Sequence, residues 1–180
     1  YVLFNIMKKE NSRIVFDSLS GQLVVTKLDE FITLDFPSGS LEKVEIKDHH
    51  LKCINISPIE VYHANKMMFV LKNEDEVRNA LPNYEEILKL ESDGLIITAK
   101  GNEVDFVSRY FAPHAGIPED PVTGSAHTIL TPHWANKLNK KKLIARQVSE
   151  RGGSLFCEDC NERVKISGNA VLYSVGEIYL

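Results

Sequence analysis

Residues 116–127 read Gly-Ile-Pro-Glu-Asp-Pro-Val-Thr-Gly-Ser-Ala-His and concentrate the groups best suited to chemistry. Pro118 and Pro121 fix φ on the approach. Thr123-Gly124-Ser125 then opens a helix, where the first backbone N–H groups have no internal partner and the dipole places partial positive charge. Gly124 has no side chain to hold a ligand off, and the Thr123 or Ser125 hydroxyl adds a hydrogen bond. This arrangement suits a small anion, a carboxylate above all. Asp120 is placed to meet another polar part of the same ligand. Two charged carboxylates repel, so Asp120 is useful there when it shares a proton with the ligand or with a second acid. Plain loop and cap chemistry stands beside this reading, because Asp-Pro and Gly-Ser are common in both. Glu119 reads as solvated. His127, on the first turn, reads either as a buried histidine with one hydrogen bond or as a group orienting Asp120. His114, Arg109 and Tyr110 precede the segment, and alternation does not say which of them faces it.

The elements that must position these residues follow from periodicity. Val2, Leu3, Ile6 and Met7 have helical spacing and lead into the polar exit Lys8–Asn11. Strands are expected at 13–17, 22–27 (after a Ser20-Gly21 turn) and 31–36, with Ile32, Leu34 and Phe36 on one face. Residues 42–63 read as strands and loops, and 67–71 as a short strand. Asn73 and Asn83 each stand three residues before a glutamate, the capping-box pattern, and predict two brief helices. Strands are expected at 95–99 and 104–111. A helix over 125–138 has an inner stripe of Ala126, Ile129, Leu130, His133, Trp134 and Leu138, with a kink or restart at Pro132. Strands near 144–148, 154–157, 163–167 and 171–175 close the chain.

Composition narrows the function classes. The 180 residues are 43% apolar and 26% charged, with a formal charge of −4. Neither nucleic acid nor an anionic membrane is favoured as partner, and no apolar run reaches the 18 or so residues that span a bilayer. Three cysteines make no disulfide scaffold and point to a reducing, cytoplasmic setting. Cys157-Glu-Asp-Cys160 has redox spacing, yet it falls on a strand end rather than a helix start, which favours coincidence over metal or redox chemistry. His49-His50 reads as solvated. The four lysines in 137–143 read as a solvated helix end.

The chain echoes itself. At a shift of 132, Leu23 meets Leu155, Ile32 meets Val164 and Leu34 meets Ile166. This pattern predicts an α+β fold of two similar halves, each a curled, mostly antiparallel sheet on a central helix. Residues 1–38 would be the tail of the first half and 39–168 the second. A strand over 169–180 can return to the first.

The stretch Val104–Ala135 resembles the C-terminal signature of the PhzF family of phenazine-biosynthesis-type isomerases, which share the diaminopimelate epimerase-like fold. Residues 146–178 are similar to that family's final strands, and 1–37 to the region after its first helix start. The resemblance implies a cofactor-free proton shift on a small carboxylate, with no metal, in a homodimer. By position it makes Asp120 the active-site aspartate, and Gly124 and Ser125 the carboxylate-binding pair, with Thr123 and His127 beside them. The family's general acid/base glutamate and its first Gly-His helix start have no counterpart here. The expectation is therefore a catalytically incomplete chain lacking an N-terminal segment. The alternative is a non-catalytic binding module of the same fold. A racemase of the paired-thiol kind is disfavoured, because Thr123 and Ser125 flank Gly124 where a cysteine would be needed.

Overall fold

The first part of the sheet is built from β1 (Arg13–Ser18), exposed but for Ile14, and from β2 (Gly21–Leu28) and β3 (Phe31–Pro37), half-buried along their middles. The computed structural model describes residues 1–7, 12–19 and 21–178. Lys8–Asn11, the expected polar exit, and the Ser20 half of the first turn lie outside them. Val2–Ile6 forms one short helical turn of π type, with Phe4 buried. The next elements are β4 (Glu42–Val44), α1 (Asp48–Leu51), β5 (Glu60–His63) and β6 (Met67–Val70). Then follow α2 (Glu74–Asn79), α3 (Tyr84–Ile87), β7 (Leu95–Lys100) and β8 (Phe106–Ala112). After β9 (Ile117–Asp120) come the long helix α4 (Gly124–Leu138), β10 (Lys142–Gln147), β11 (Gly153–Asp159) and β12 (Arg163–Gly168). Asn73 and Asn83 cap α2 and α3 as expected, their side chains accepting from the Glu76 and Glu86 amides.

All the strands join one sheet in the order β1-β2-β3-β12-β11-β10-β8-β7-β6-β5-β4, with β9 on β8. Among the described strands only the β8–β10 and β6–β7 pairs are parallel. Over β6–β8 both faces are covered, which explains the unbroken apolar runs there. Met68, Val70, Ile96 and Phe106 pack on α4 with Leu130 and Trp134. Phe69, Ile97, Val107 and Phe111 face α1–α3, beside Cys53, Val77 and Ile87. His50 belongs to this second layer. It is 3% exposed against Phe69, not solvated, because α1 turns it inward.

The repeat read in the sequence is a structural one. Val24 pairs Asp35 in the β2–β3 hairpin, and the residues 132 further on, Phe156 and Ser167, pair in β11–β12. Asp29 and Asn161, which turn the two hairpins, both have positive φ. The halves meet where β3 runs antiparallel to β12. There the repeat mates Leu34 and Ile166 are also direct cross-strand neighbours, so a local two-fold passes between them.

Two expectations change. Helix α4 runs through Pro132 without a restart. Proline offers no N–H to the Thr128 carbonyl four residues back, and Gly39 N–H takes that carbonyl instead at 3.1 Å. A Cβ on Gly39 would lie 2.8 Å from Ile129 Cγ1, so only glycine lets the 38–41 linker come this close. The strand expected near 171–175 is absent. Residues 169–178 pair with no described strand, and Val171, Tyr173 and Val175 are exposed. Among the described residues, no helix is long and apolar enough to cross a membrane.

Candidate active site at the tip of the long helix

Strand β8 delivers the chain to the site. It ends in a 3-10 turn over Pro113–Ala115, reverses at Gly116 in the left-handed region, and returns as β9. Tyr110 thereby pairs with Asp120. Strand alternation then sends Glu119 and Asp120 to opposite faces. Glu119 forms a two-pronged ion pair with Arg109, 2.8 Å on each arm, and Arg109 also donates to the Ala80 carbonyl at 2.8 Å. Glu119 is therefore paired rather than solvated, and Arg109 faces α2. Tyr110 lies on the α4 face. Burial, with the charges of Asp93 and Asp120, raises its phenol above the ordinary tyrosine range.

Asp120 is half-buried and tied to the start of α4. The Thr123 hydroxyl donates to Asp120 Oδ2 at 2.5 Å. Gln147, wholly buried on β10, closes the loop: Thr123 N–H donates to its Oε1 at 2.8 Å, and its Nε2 donates to the Asp120 carbonyl at 2.6 Å. With its hydroxyl turned to Asp120, Thr123 does not cap the helix. Among the described residues, no side chain caps the leading amides at Gly124 and Ser125. Ser125 is exposed, and among the described residues the nearest neighbour a Cβ on Gly124 would meet is Phe36, 4.0 Å away. The tip is thus a set of polarised N–H groups opening on free space, beside a half-buried carboxylate and the aromatic edge of β3.

The structure brings Asp120, Thr123, Gly124 and Ser125 together. It sets His127 beneath them with no exposed surface, its Nδ1–H donating to the Thr123 carbonyl at 2.7 Å. Burial pushes this imidazole down to about 4, opposed by that hydrogen bond, so it is neutral near pH 7. His114 is exposed on the turn. Gln147 belongs to no motif of the sequence. Its signal is phase: Leu143, Ala145 and Gln147 share the buried face of β10, and a buried polar side chain there requires partners. Cys157 is also buried, which pushes its thiol up to about 11. Among the described residues no group of three metal-ligating side chains converges.

The comparisons agree with this geometry. An uncharacterized isomerase of Pseudomonas aeruginosa is 42% identical over 181 residues, which span all of this chain and 69% of that protein. The crystal structure of an Enterococcus faecalis protein of the PhzF family superposes with a TM-score of 0.95 at 43% identity, covering 99% of this chain and 69% of that one. A Clostridium difficile structure described as a putative phenazine biosynthesis PhzC/PhzF protein gives a TM-score of 0.92 at 41% identity, over all of this chain and 70% of that one. The fold alone extends to a hydroxyproline epimerase of Agrobacterium vitis, at 9% identity and a TM-score of 0.51. A two-fold repeated sheet, an uncapped helix tip with a carboxylate beside it, and a match to the phenazine biosynthesis-like protein model over residues 1–176 lead to one conclusion: this chain belongs to the PhzC-PhzF family.

Proposed function

We propose that this chain carries the carboxylate-holding half of a cofactor-independent isomerase acting on a small carboxylate. The amides at Gly124 and Ser125 grip the acid through the helix N-terminus. Asp120 contacts a neighbouring polar group of the ligand and supports a proton moved from one carbon, next to an unsaturated bond, to another. Such a shift changes no oxidation state and requires neither metal nor nucleotide. The glutamate that moves the proton lies outside these 180 residues, with 1–38 as the tail of one half and 39–168 as the other. Thr123 and His127 shape the tip without capping it.

One observation carries the reading: Thr123 spends its hydroxyl on Asp120 and leaves the helix tip open. A purely structural N-terminus would use that hydroxyl as a cap. The direct test is titration with benzoate, followed by amide NMR. Shifts centred on Gly124, Ser125 and Ala126 support the site; shifts elsewhere, or none, refute it. Turnover by the 180 residues alone would refute the placement of the base.

A second reading, a binding module without catalysis, rests on Glu119. This acid adjoins Asp120 in sequence, yet it is held by Arg109 on the opposite face and cannot serve as the opposing base. Deuterium incorporation from solvent into a bound ligand separates the two readings. The proposal also includes a cytoplasmic homodimer, supported by three unpaired thiols and by the exposed apolar side chains Val15, Phe16 and Leu28 on the first strands. Sedimentation as a stable monomer would count against it.

A further inference from the structure

We propose that Gln147 is a positioning residue that fixes the direction of the Thr123 hydroxyl, and so confines proton exchange at Asp120 to Oδ1. The chain of reasoning starts from two backbone groups whose polarity cannot change. Thr123 N–H can only donate, so the atom of Gln147 that faces it at 2.8 Å is the oxygen. The Asp120 carbonyl can only accept, so the atom 2.6 Å from it is the amide nitrogen. These contacts fix the orientation of the amide without reference to any other side chain. The second hydrogen of Nε2 points to Thr123 Oγ1 at 3.2 Å, which must accept it. The hydroxyl proton of Thr123 must then go elsewhere, and Asp120 Oδ2 at 2.5 Å receives it.

Oδ2 is thereby held as an acceptor. A proton placed on Oδ2 would face the hydroxyl proton head-on, and the hydroxyl cannot turn round because Gln147 already donates to it. The proton-bearing oxygen of Asp120 is therefore Oδ1. Gln147 touches no ligand in this scheme and acts only through Thr123. Its burial makes the arrangement stiff: water cannot substitute for the amide at a residue with no exposed surface.

The inference rests on Asp120 being the carboxylate of the proposed site, but its test needs no substrate, so the two fail separately. Neutron diffraction from perdeuterated crystals locates the deuteron of Thr123 directly. The expected result is a deuteron on Oγ1 pointing at Asp120 Oδ2. In crystals acidified until Asp120 carries a deuteron, that deuteron should lie on Oδ1 in the wild type; in Gln147→Leu nothing holds Thr123 Oγ1 as an acceptor of the amide, and the deuteron should appear on Oδ2 as well. A wild-type Thr123 deuteron pointing anywhere but at Oδ2 overturns the proposal, and so does a deuteron confined to Oδ1 in Gln147→Leu. A solution measurement covers the case in which that variant does not crystallise. In equal parts H2O and D2O, the Asp120 carboxyl carbon should show an isotope-shifted pair of signals from the Thr123 hydroxyl. Gln147→Leu should collapse the pair to one. If Gln147 only braces the loop, Gln147→Leu lowers the melting temperature and leaves the pair intact, which also overturns the proposal.

Discussion

Gly124→Ala separates anion capture from helix stability, because the two respond in opposite directions. The site has room for the methyl, whose nearest neighbour is Phe36 Cε2 at 4.0 Å, and φ is not in the left-handed region. Alanine is the better helix former, by up to about 1 kcal/mol in a helix interior and less at the first turn. Folding stability should therefore hold or rise by roughly 0.5 kcal/mol. The new Cβ tilts toward the helix N-terminus, into the path a carboxylate takes to the amides. Losing one hydrogen bond to a charged group costs about 1.5–3 kcal/mol. Benzoate should then bind about 10- to 150-fold more weakly. Urea denaturation reads the first quantity and NMR titration the second, on the same protein. Equal benzoate affinity in the two proteins would refute the anion site. A large loss of stability would show that the tip is packed rather than open.

Other outcomes follow from particular contacts. Burial holds His50, His127 and His133 near pKa 4, against 6.5 when exposed, so unfolding takes up protons as pH falls through that interval. Stability should be intact above pH 6.5, fall by at most about 1.4 kcal/mol per histidine per pH unit below it, and level off near 4; a urea midpoint unchanged between pH 7.5 and 5.5 would contradict this. Arg109→Met strands Glu119 and uncovers the Ala80 carbonyl, and should cost about 2–4 kcal/mol by denaturation while leaving benzoate binding unchanged, since the pair lies on the far face. Gly39→Ala drives a methyl toward Ile129 and should cost about 1–3 kcal/mol, with helix content by circular dichroism preserved.

Local chemistry made much of this molecule legible. Asn73 and Asn83 announced their helices because a cap is a contact between neighbours in the chain. The helix tip could be read from Thr123-Gly124-Ser125 for the same reason. What stayed hidden was settled by distant partners. Glu119 needed Arg109 ten residues away, His50 needed a folded second layer, and Gln147 needed a loop brought beside β10. The stretch 171–175 has strand-like residues and pairs with no described strand, which no local pattern can foretell.

The repeat explains both the helix tip and its support. Duplication gives each half a three-stranded unit, and β2–β3 keeps its register in β11–β12. The β1–β2 pairing does not carry over unchanged. Arg13 opposes Thr26, but Lys142, not Ala145, opposes Glu158, because Gln147 and Gly153 at the ends of β10 and β11 stand three residues further apart in the chain than Ser18 and Gly21. That longer loop reaches the candidate site. Ser149 donates to the Pro121 carbonyl at 2.8 Å, and where the loop enters β11 a Cβ on Gly153 would lie 2.5 Å from Val122 Cγ2, so the loop and the start of β11 pack against the segment that joins Asp120 to the helix. Gln147 sits at its base. Symmetry thus built the scaffold, and the departure from symmetry holds the carboxylate. Shortening 148–152 to the length of its counterpart should leave the sheet intact and release Pro121–Thr123. Amide exchange would then speed up across that segment alone; uniform loss of protection would mean that the loop belongs to the fold rather than to the site.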